Sequence, residues 1–272
     1  MNYSLLDYHT HTNHSWDGSA SIKDMCKSAV KRGVSEICFT DHLAVVESDP
    51  CYGWLDKDRY QKDIESNQAL FDGTLTIKKG LEVGEPHLQK EDIAFYTKDP
   101  NLDFIIGSVH NIEQIDLTQM IPQRSQKENY RLYFEELFKA VAFGDLDVIG
   151  HFDLLKRYDF DQNGPYSFAA YSDIITEILR KAVDRGIGLE INTSGFRSSC
   201  GEIFPSTAIL KRYRELGGEL LTVGSDAHDV IRIGENIPSV YALLERMGFR
   251  AVFSYEKRQP VAVDLCKNRK CL

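Results

Sequence analysis

The sequence predicts an α/β fold: a distorted (β/α)7 barrel forming a single domain over residues 1–272. Three observations carry that expectation. Seven apolar, strand-like segments alternate with amphipathic, helix-like ones, the pattern of buried parallel strands covered by helices. Seven such units suit a closed or nearly closed barrel better than an open sheet, although periodicity alone leaves a doubly wound sheet as the alternative. Finally, 272 residues with 42% hydrophobic and 27% charged side chains have an ordinary globular balance and enough length for a large core.

The strand-like segments are 5–9 (LLDYH), 35–41, 75–84, 102–110, 145–151, 186–194 and 219–226. Their apolar runs are short and bounded by glycine or polar residues. Helix-like stretches fall at 21–32, 57–70, 126–143, 168–185 and 206–216. Gly33 and Gly186 follow basic last turns, as helix C-termini prefer. The tail GFRAVFSYEKRQPVAVDL reads as a final strand pair rather than an eighth unit.

Composition removes several functions. A formal charge of −9 disfavours a general nucleic-acid binder. No apolar run approaches the roughly 20 residues that span a bilayer, and the N-terminus lacks a basic leader followed by an apolar core. The six cysteines (26, 38, 51, 200, 266 and 271) are scattered without a CxxC pair. They are expected to be free thiols in a cytoplasmic protein, with no membrane partner and no zinc knuckle.

The polar residues mark where chemistry is expected. Six of the eight histidines terminate strand-like segments: His9 and His11, His42, His110, His151 and His228. Glu82, Glu190 and Asp226 fall at strand ends as well. In barrels that end carries the active site. Residues two apart in an extended chain point the same way, so His9 and His11 can face one ion, and so can Asp226 and His228. Imidazole with carboxylate suits zinc, manganese or iron and does not choose among them. Without thiolates in the set, a catalytic centre is expected rather than a structural zinc site. His14, read as a surface loop residue, and His87, read at a helix start, are left out. Asp159–Gly164 begins like a calcium loop, but its twelfth position is Ala170, so it is read as a polar turn. Glu135-Glu136 is read as a solvated helix face.

These strand ends resemble the motifs of the polymerase and histidinol phosphatase (PHP) superfamily: His9-x-His11, Thr40-Asp41-His42, Gly80-Leu81-Glu82, Ser108-Val109-His110, Gly150-His151 and Ser225-Asp226-Ala227-His228. The resemblance runs from residue 7 to residue 228. It implies a TIM-like barrel and two or three divalent ions that hydrolyse phosphate esters. Carried over by position, the first ion takes His9, His11, Glu82 and Asp226. The second shares Glu82 and adds His110 and His151. The third takes Asp17, His42 and His228, with Asp17 standing where relatives often have histidine. Three ions against three carboxylates leave the centre near +3, which accounts for an acidic protein attracting a phosphate.

Within the superfamily the chain is most similar to histidinol-phosphate phosphatases, through Asp147–Tyr158 and through Leu189–Arg197 followed by Gly201–Pro205. That similarity implies hydrolysis of a small phosphate monoester, L-histidinol phosphate, in histidine biosynthesis, by a hydroxide bridging two ions. Arg197 is expected to contact the phosphate with its planar guanidinium. Another PHP phosphoesterase, acting on nucleotides or phosphotyrosyl protein, is the enzymatic alternative. A non-catalytic metal-binding module is the other. The sequence leaves metal identity and oligomeric state open.

Overall fold

The computed structural model describes residues 4–265; Cys266 and Cys271 lie outside them. Seven parallel strands follow one another around a barrel: β1 (Leu5–Thr10), β2 (Val34–Phe39), β3 (Thr76–Gly84), β4 (Phe104–Ser108), β5 (Val148–Ile149), β6 (Gly188–Asn192) and β7 (Leu221–Gly224). Each pairs in parallel with the next in sequence. The ring closes at its C-terminal end, where Asp226 N donates to His9 O and His11 N to Ala227 O, both at 2.8 Å. The barrel is thus nearly closed, and the doubly wound alternative is set aside.

The covering helices are α1 (Ile22–Lys31), α2 (Lys57–Leu70), α3 (Lys90–Thr97), α4 (Gln126–Phe143), α5 (Lys156–Asn163), α6 (Ser172–Arg185), α7 (Thr207–Glu215) and α8 (Ile237–Arg246). Side-chain caps start three of them: Ser21, Asp56 and Ser125 accept from the backbone N–H three residues on. Strand interiors are almost wholly buried, Phe104–Ser108 and Gly188–Asn192 throughout, as strands with helices outside and packed side chains inside must be. No described helix is long and apolar enough to cross a membrane.

The tail forms an antiparallel hairpin, β8 (Ala251–Glu256) and β9 (Gln259–Asp264). It packs at the N-terminal mouth of the barrel. Tyr255 N donates to Tyr8 Oη, its ring lies 4.7 Å from that of Phe104, and Arg258 N donates to Asp103 O just before β4. One mouth is therefore plugged by chain, and the other is left for the polar strand ends.

Helices α5 and α8 are not among the helix-like stretches read from the sequence, and α3 begins three residues past the helix start expected at His87. The expected polar turn at Asp159–Gly164 is instead the second half of α5, ended by Gly164 at φ +70°. This helix has no apolar period to betray it. It is pinned by side chains, with Asp159 accepting from Gln126 and Asn163 at 2.8 Å each.

Candidate metal centre

Five of the seven barrel strands deliver a residue at or just past their C-terminal ends directly to one cluster. His9 and His11 extend along β1, Glu82 stands on β3, His110 follows β4, His151 follows β5 and Asp226 follows β7. His42 reaches the cluster differently: His42–Leu43 continue past β2 and pair with Glu82–Val83, placing His42 alongside Glu82 in register.

Glu82 is the hub. Its Oε2 lies 3.1 Å from His9 Nε2, 3.4 Å from His11 Nε2 and 3.0 Å from His42 Nδ1. Its Oε1 lies 2.9 Å from His151 Nε2 and 3.3 Å from His110 Nε2. Asp226 Oδ1 stands 3.6 Å from both His9 Nε2 and His11 Nε2. At the rim, Asp17 Oδ2 lies 3.1 Å from His228 Nε2 and 3.5 Å from His42 Nε2. The structure thus brings together all nine side chains picked out as metal ligands.

The donor chemistry fits divalent cations. Tetrahedral ligands about 2.0–2.1 Å from zinc stand roughly 3.3 Å apart. His9 Nε2 and His11 Nε2 are 3.0 Å apart, and their separations from Glu82 and Asp226 run from 3.1 to 3.6 Å. Six imidazoles and three carboxylates meet here, an array of lone pairs that a cation satisfies at once.

Supporting contacts aim these ligands. His9 Nδ1 lies 2.5 Å from Glu190 Oε1, leaving Nε2 directed into the cluster. Glu190 also accepts from His151 N at 2.8 Å, so one buried carboxylate on β6 orients ligands from two other strands. Ser108 Oγ donates to Glu82 Oε1 at 2.7 Å. Gly224 makes room for this: a Cβ there would meet His9 Cβ at 2.3 Å and Glu190 Oε1 at 2.6 Å. Asp226 itself holds φ at +53°, the left-handed region that costs a non-glycine residue energy and is found at functional turns.

Electrostatics follows from crowding. Burial opposes ionisation of Glu82, but His9, His42 and His110 outweigh it and hold its pKa well below the usual carboxylate range. Asp226 is likewise held down against burial, by His9, Arg157, His228 and His11. Burial, reinforced by the neighbouring imidazoles of His228, His42 and His9, keeps His11 well below its ordinary value and hence neutral, as a ligand must be. Burial opposes the charged form of His9 too, yet Glu190, Glu82 and Asp226 raise it well above. Burial pushes the Cys51 thiol up to about 11.

A cavity of about 190 Å³ opens over the cluster, bounded among others by Trp16, Asp116, Arg157 and Tyr158. Here the expectation for Arg197 needs correction. Its guanidinium lies behind the ligand turn, donating to Ser225 O, Asp226 O and Glu235 Oε2 at 3.0–3.1 Å. It thus braces the strained Asp226 backbone and has no place on the cavity wall. The arginine at the cavity is Arg157, with Nη2 3.0 Å from Asp226 Oδ2, a hydrogen bond to Ser194 Oγ and its guanidinium 5.1 Å from the Phe204 ring centroid. Two other readings change. His14 is buried and pairs with Asp63 at 2.9 Å. His87 pairs at 2.8 Å with Glu136, which is thereby buried rather than solvated.

Arg157 and Glu190 were both visible in segments already singled out. What marks Arg157 is its place six residues past His151, in the first turn of the helix that follows a ligand-bearing strand. What marks Glu190 is a carboxylate near the end of a strand that, like β3 with Glu82, carries no histidine.

Residues 7–194 match the family model described as PHP domain. The histidinol-phosphatase of Lactococcus lactis is 30% identical over 276 residues, covering 98% of both chains. A probable histidinol-phosphatase of Clostridium acetobutylicum is also 30% identical, over 93% of this chain and 98% of its own. Among solved structures, the Lactococcus lactis histidinol phosphate phosphatase, crystallised with zinc, L-histidinol and phosphate, superposes with a TM-score of 0.88 at 29% identity, covering 96% of this chain and all of that one.

Proposed function

The chain belongs to the PHP family, and on that premise we propose that it is a metal-dependent phosphatase that cleaves L-histidinol phosphate to L-histidinol and phosphate, a step of histidine biosynthesis. The observation that carries this reading is the convergence of six imidazoles and three carboxylates beneath a cavity that also holds Arg157. Similarity over nearly the whole length to the Lactococcus lactis enzyme supports the substrate.

His9, His11, Glu82 and Asp226 would hold one ion, Glu82 with His110 and His151 a second, and Asp17, His42 and His228 a third. Zinc is the metal that the neighbour's crystal structure supports; manganese and iron share the ligand chemistry. Bound divalent ions supply Lewis acidity toward phosphoryl oxygens and acidify water from about 15.7 toward roughly 7. The chain's own residues do the rest. Glu190 keeps the Nδ1 proton of His9 occupied, so that Nε2 remains a lone-pair donor. Arg157 offers permanent positive charge at the cavity wall, where two N–H groups can engage phosphoryl oxygens. Asp116, Tyr158 and Trp16 line the space left for the rest of the substrate. Free thiols at Cys26, Cys38, Cys51 and Cys200 suit a reducing, cytoplasmic setting.

Catalytic efficiency of the metal-loaded protein on histidinol phosphate, an aryl phosphate and a nucleoside monophosphate tests the reading. The imidazole and ammonium ends of histidinol add hydrogen bonds worth about 1.5–3 kcal/mol where charged. Histidinol phosphate should therefore exceed the aryl ester by roughly 100-fold. Parity between them, or a preference for the nucleotide, would remove the substrate and leave a PHP phosphatase of another kind.

A further inference from the structure

Cys51 stands at the rim of the cavity, on the loop between His42–Leu43 and α2. Its sulfur, an oxygen of Asp17 and an imidazole nitrogen of His42 lie within 4.8 Å of one another. The residue is buried yet lines the same cavity as Asp17, His42 and His228. We propose that Cys51 is a thiolate ligand of the rim ion, completing a Cys/His/His/Asp shell that selects a soft divalent cation such as zinc over manganese. This rests on the metal-centre reading above and adds a ligand that lies outside the strand-end motif pattern.

The loop is built to hold the sulfur in place. Cys51 N donates to Asp49 Oδ1 at 2.8 Å, and Asp49 Oδ2 accepts from Asn111 Nδ2 at 2.9 Å. Glu85 accepts from the backbone N–H groups of His110 and Asn111 at 2.6 and 2.7 Å. The Cys51 loop is thereby tied to the same strand end that carries His110. Tyr52 adds a bridge to Ala44, two residues after His42.

The consequence is chemical. Asp17, His42 and His228 alone would leave a tetrahedral ion one open position, as catalytic sites do; a fourth protein ligand closes the shell, as structural sites do. Sulfur also shifts selectivity from manganese toward zinc and cadmium. A small adjustment brings the donors to the roughly 3.5 Å spacing of a tetrahedral shell with one sulfur. As the sulfur–cation bond forms, the S–H bond breaks and its proton leaves to solvent.

The test uses cobalt(II) titrated into chelator-stripped, full-length protein carrying Cys200→Ser, Cys266→Ser and Cys271→Ser, which leaves Cys51 as the thiol at the cavity. A near-ultraviolet sulfur-to-cobalt charge-transfer band should grow with the last ion to bind. It should vanish when Cys51→Ser is added, and equally with Cys51→Ala, which guards against misfolding from a buried hydroxyl. Either variant should weaken zinc at the rim by about 10- to 100-fold and leave manganese affinity unchanged. Cobalt bound without the band, or a band surviving loss of Cys51, overturns the thiolate and leaves the metal centre standing. Failure to bind cobalt at all overturns both.

Discussion

The centre has two unlike halves. His9, His11, Glu82, His151 and Asp226 sit on or beside strand ends and are 0–6% exposed, with His110 of the same inner pair at 20%. Asp17, His42 and His228 at the rim are 37%, 14% and 31% exposed, and among the described residues the loop-borne Asp17 carboxylate pairs with these two imidazoles. The inner ligands are oriented by the buried Glu190 and Ser108 and by Arg157, 25% exposed at the cavity wall; the rim ligands have few such braces. The same ligand types should therefore bind tightly inside, where water is excluded and geometry is fixed, and more loosely outside.

The largest effect expected from breaking this contrast is at its hub. Glu82→Gln removes the negative charge common to both inner ions, and loss of several kcal/mol of charge stabilisation corresponds to about a 1,000-fold fall in turnover. Elemental analysis should show the inner ions depleted. Arg157→Met should lower kcat/KM about 10- to 100-fold for every phosphate ester, charged hydrogen bonds to phosphate being worth about 1.5–3 kcal/mol. Steady-state kinetics with two unrelated esters would show whether the loss is common to both. Glu190→Gln should weaken the inner ions by about 10- to 100-fold through His9 and His151, read by competition with a chelating dye. Asp17→Asn should cost the rim ion only, with the inner ions and the fold retained.

Stripping the metals gives a gentler probe. In the ion-free protein, burial opposes the charges throughout. The carboxylates nonetheless raise His9, His42, His110 and His228, while the imidazoles lower Glu82, Asp226 and Asp17. The raised histidines stabilise below about pH 6.5, and that contribution is lost as pH rises through their folded values. The lowered carboxylates stabilise above about pH 4.5, and theirs is lost as pH falls. Thermal melts of stripped protein should peak between those limits, and metal should extend stability to higher pH.

The two halves were also unequally legible. Strand-end histidines show because a two-residue period and an apolar run fix both where they lie and which way they point, as for His9 and His11. The hairpin Ala251–Asp264 and the helices with a clear apolar stripe show for the same reason. Asp17 came only through family resemblance, since nothing in a loop's periodicity aims a side chain. Arg197 misleads because an arginine near a strand end carries no sign in the sequence of whether its donors are already taken by backbone carbonyls, as they are here. Helix α5 was hidden because its anchors are tertiary, and Cys51 because a lone thiol gains meaning only from what folds against it.

Graded chelation with ion counting at each step tests the central contrast most directly. The two inner ions should persist together with most of the turnover while the rim ion leaves first, and Asp17→Asn should begin at that depleted count. Simultaneous loss of every ion from the wild type, or a full complement retained by Glu82→Gln, would contradict a buried pair organised on Glu82 beneath a looser rim.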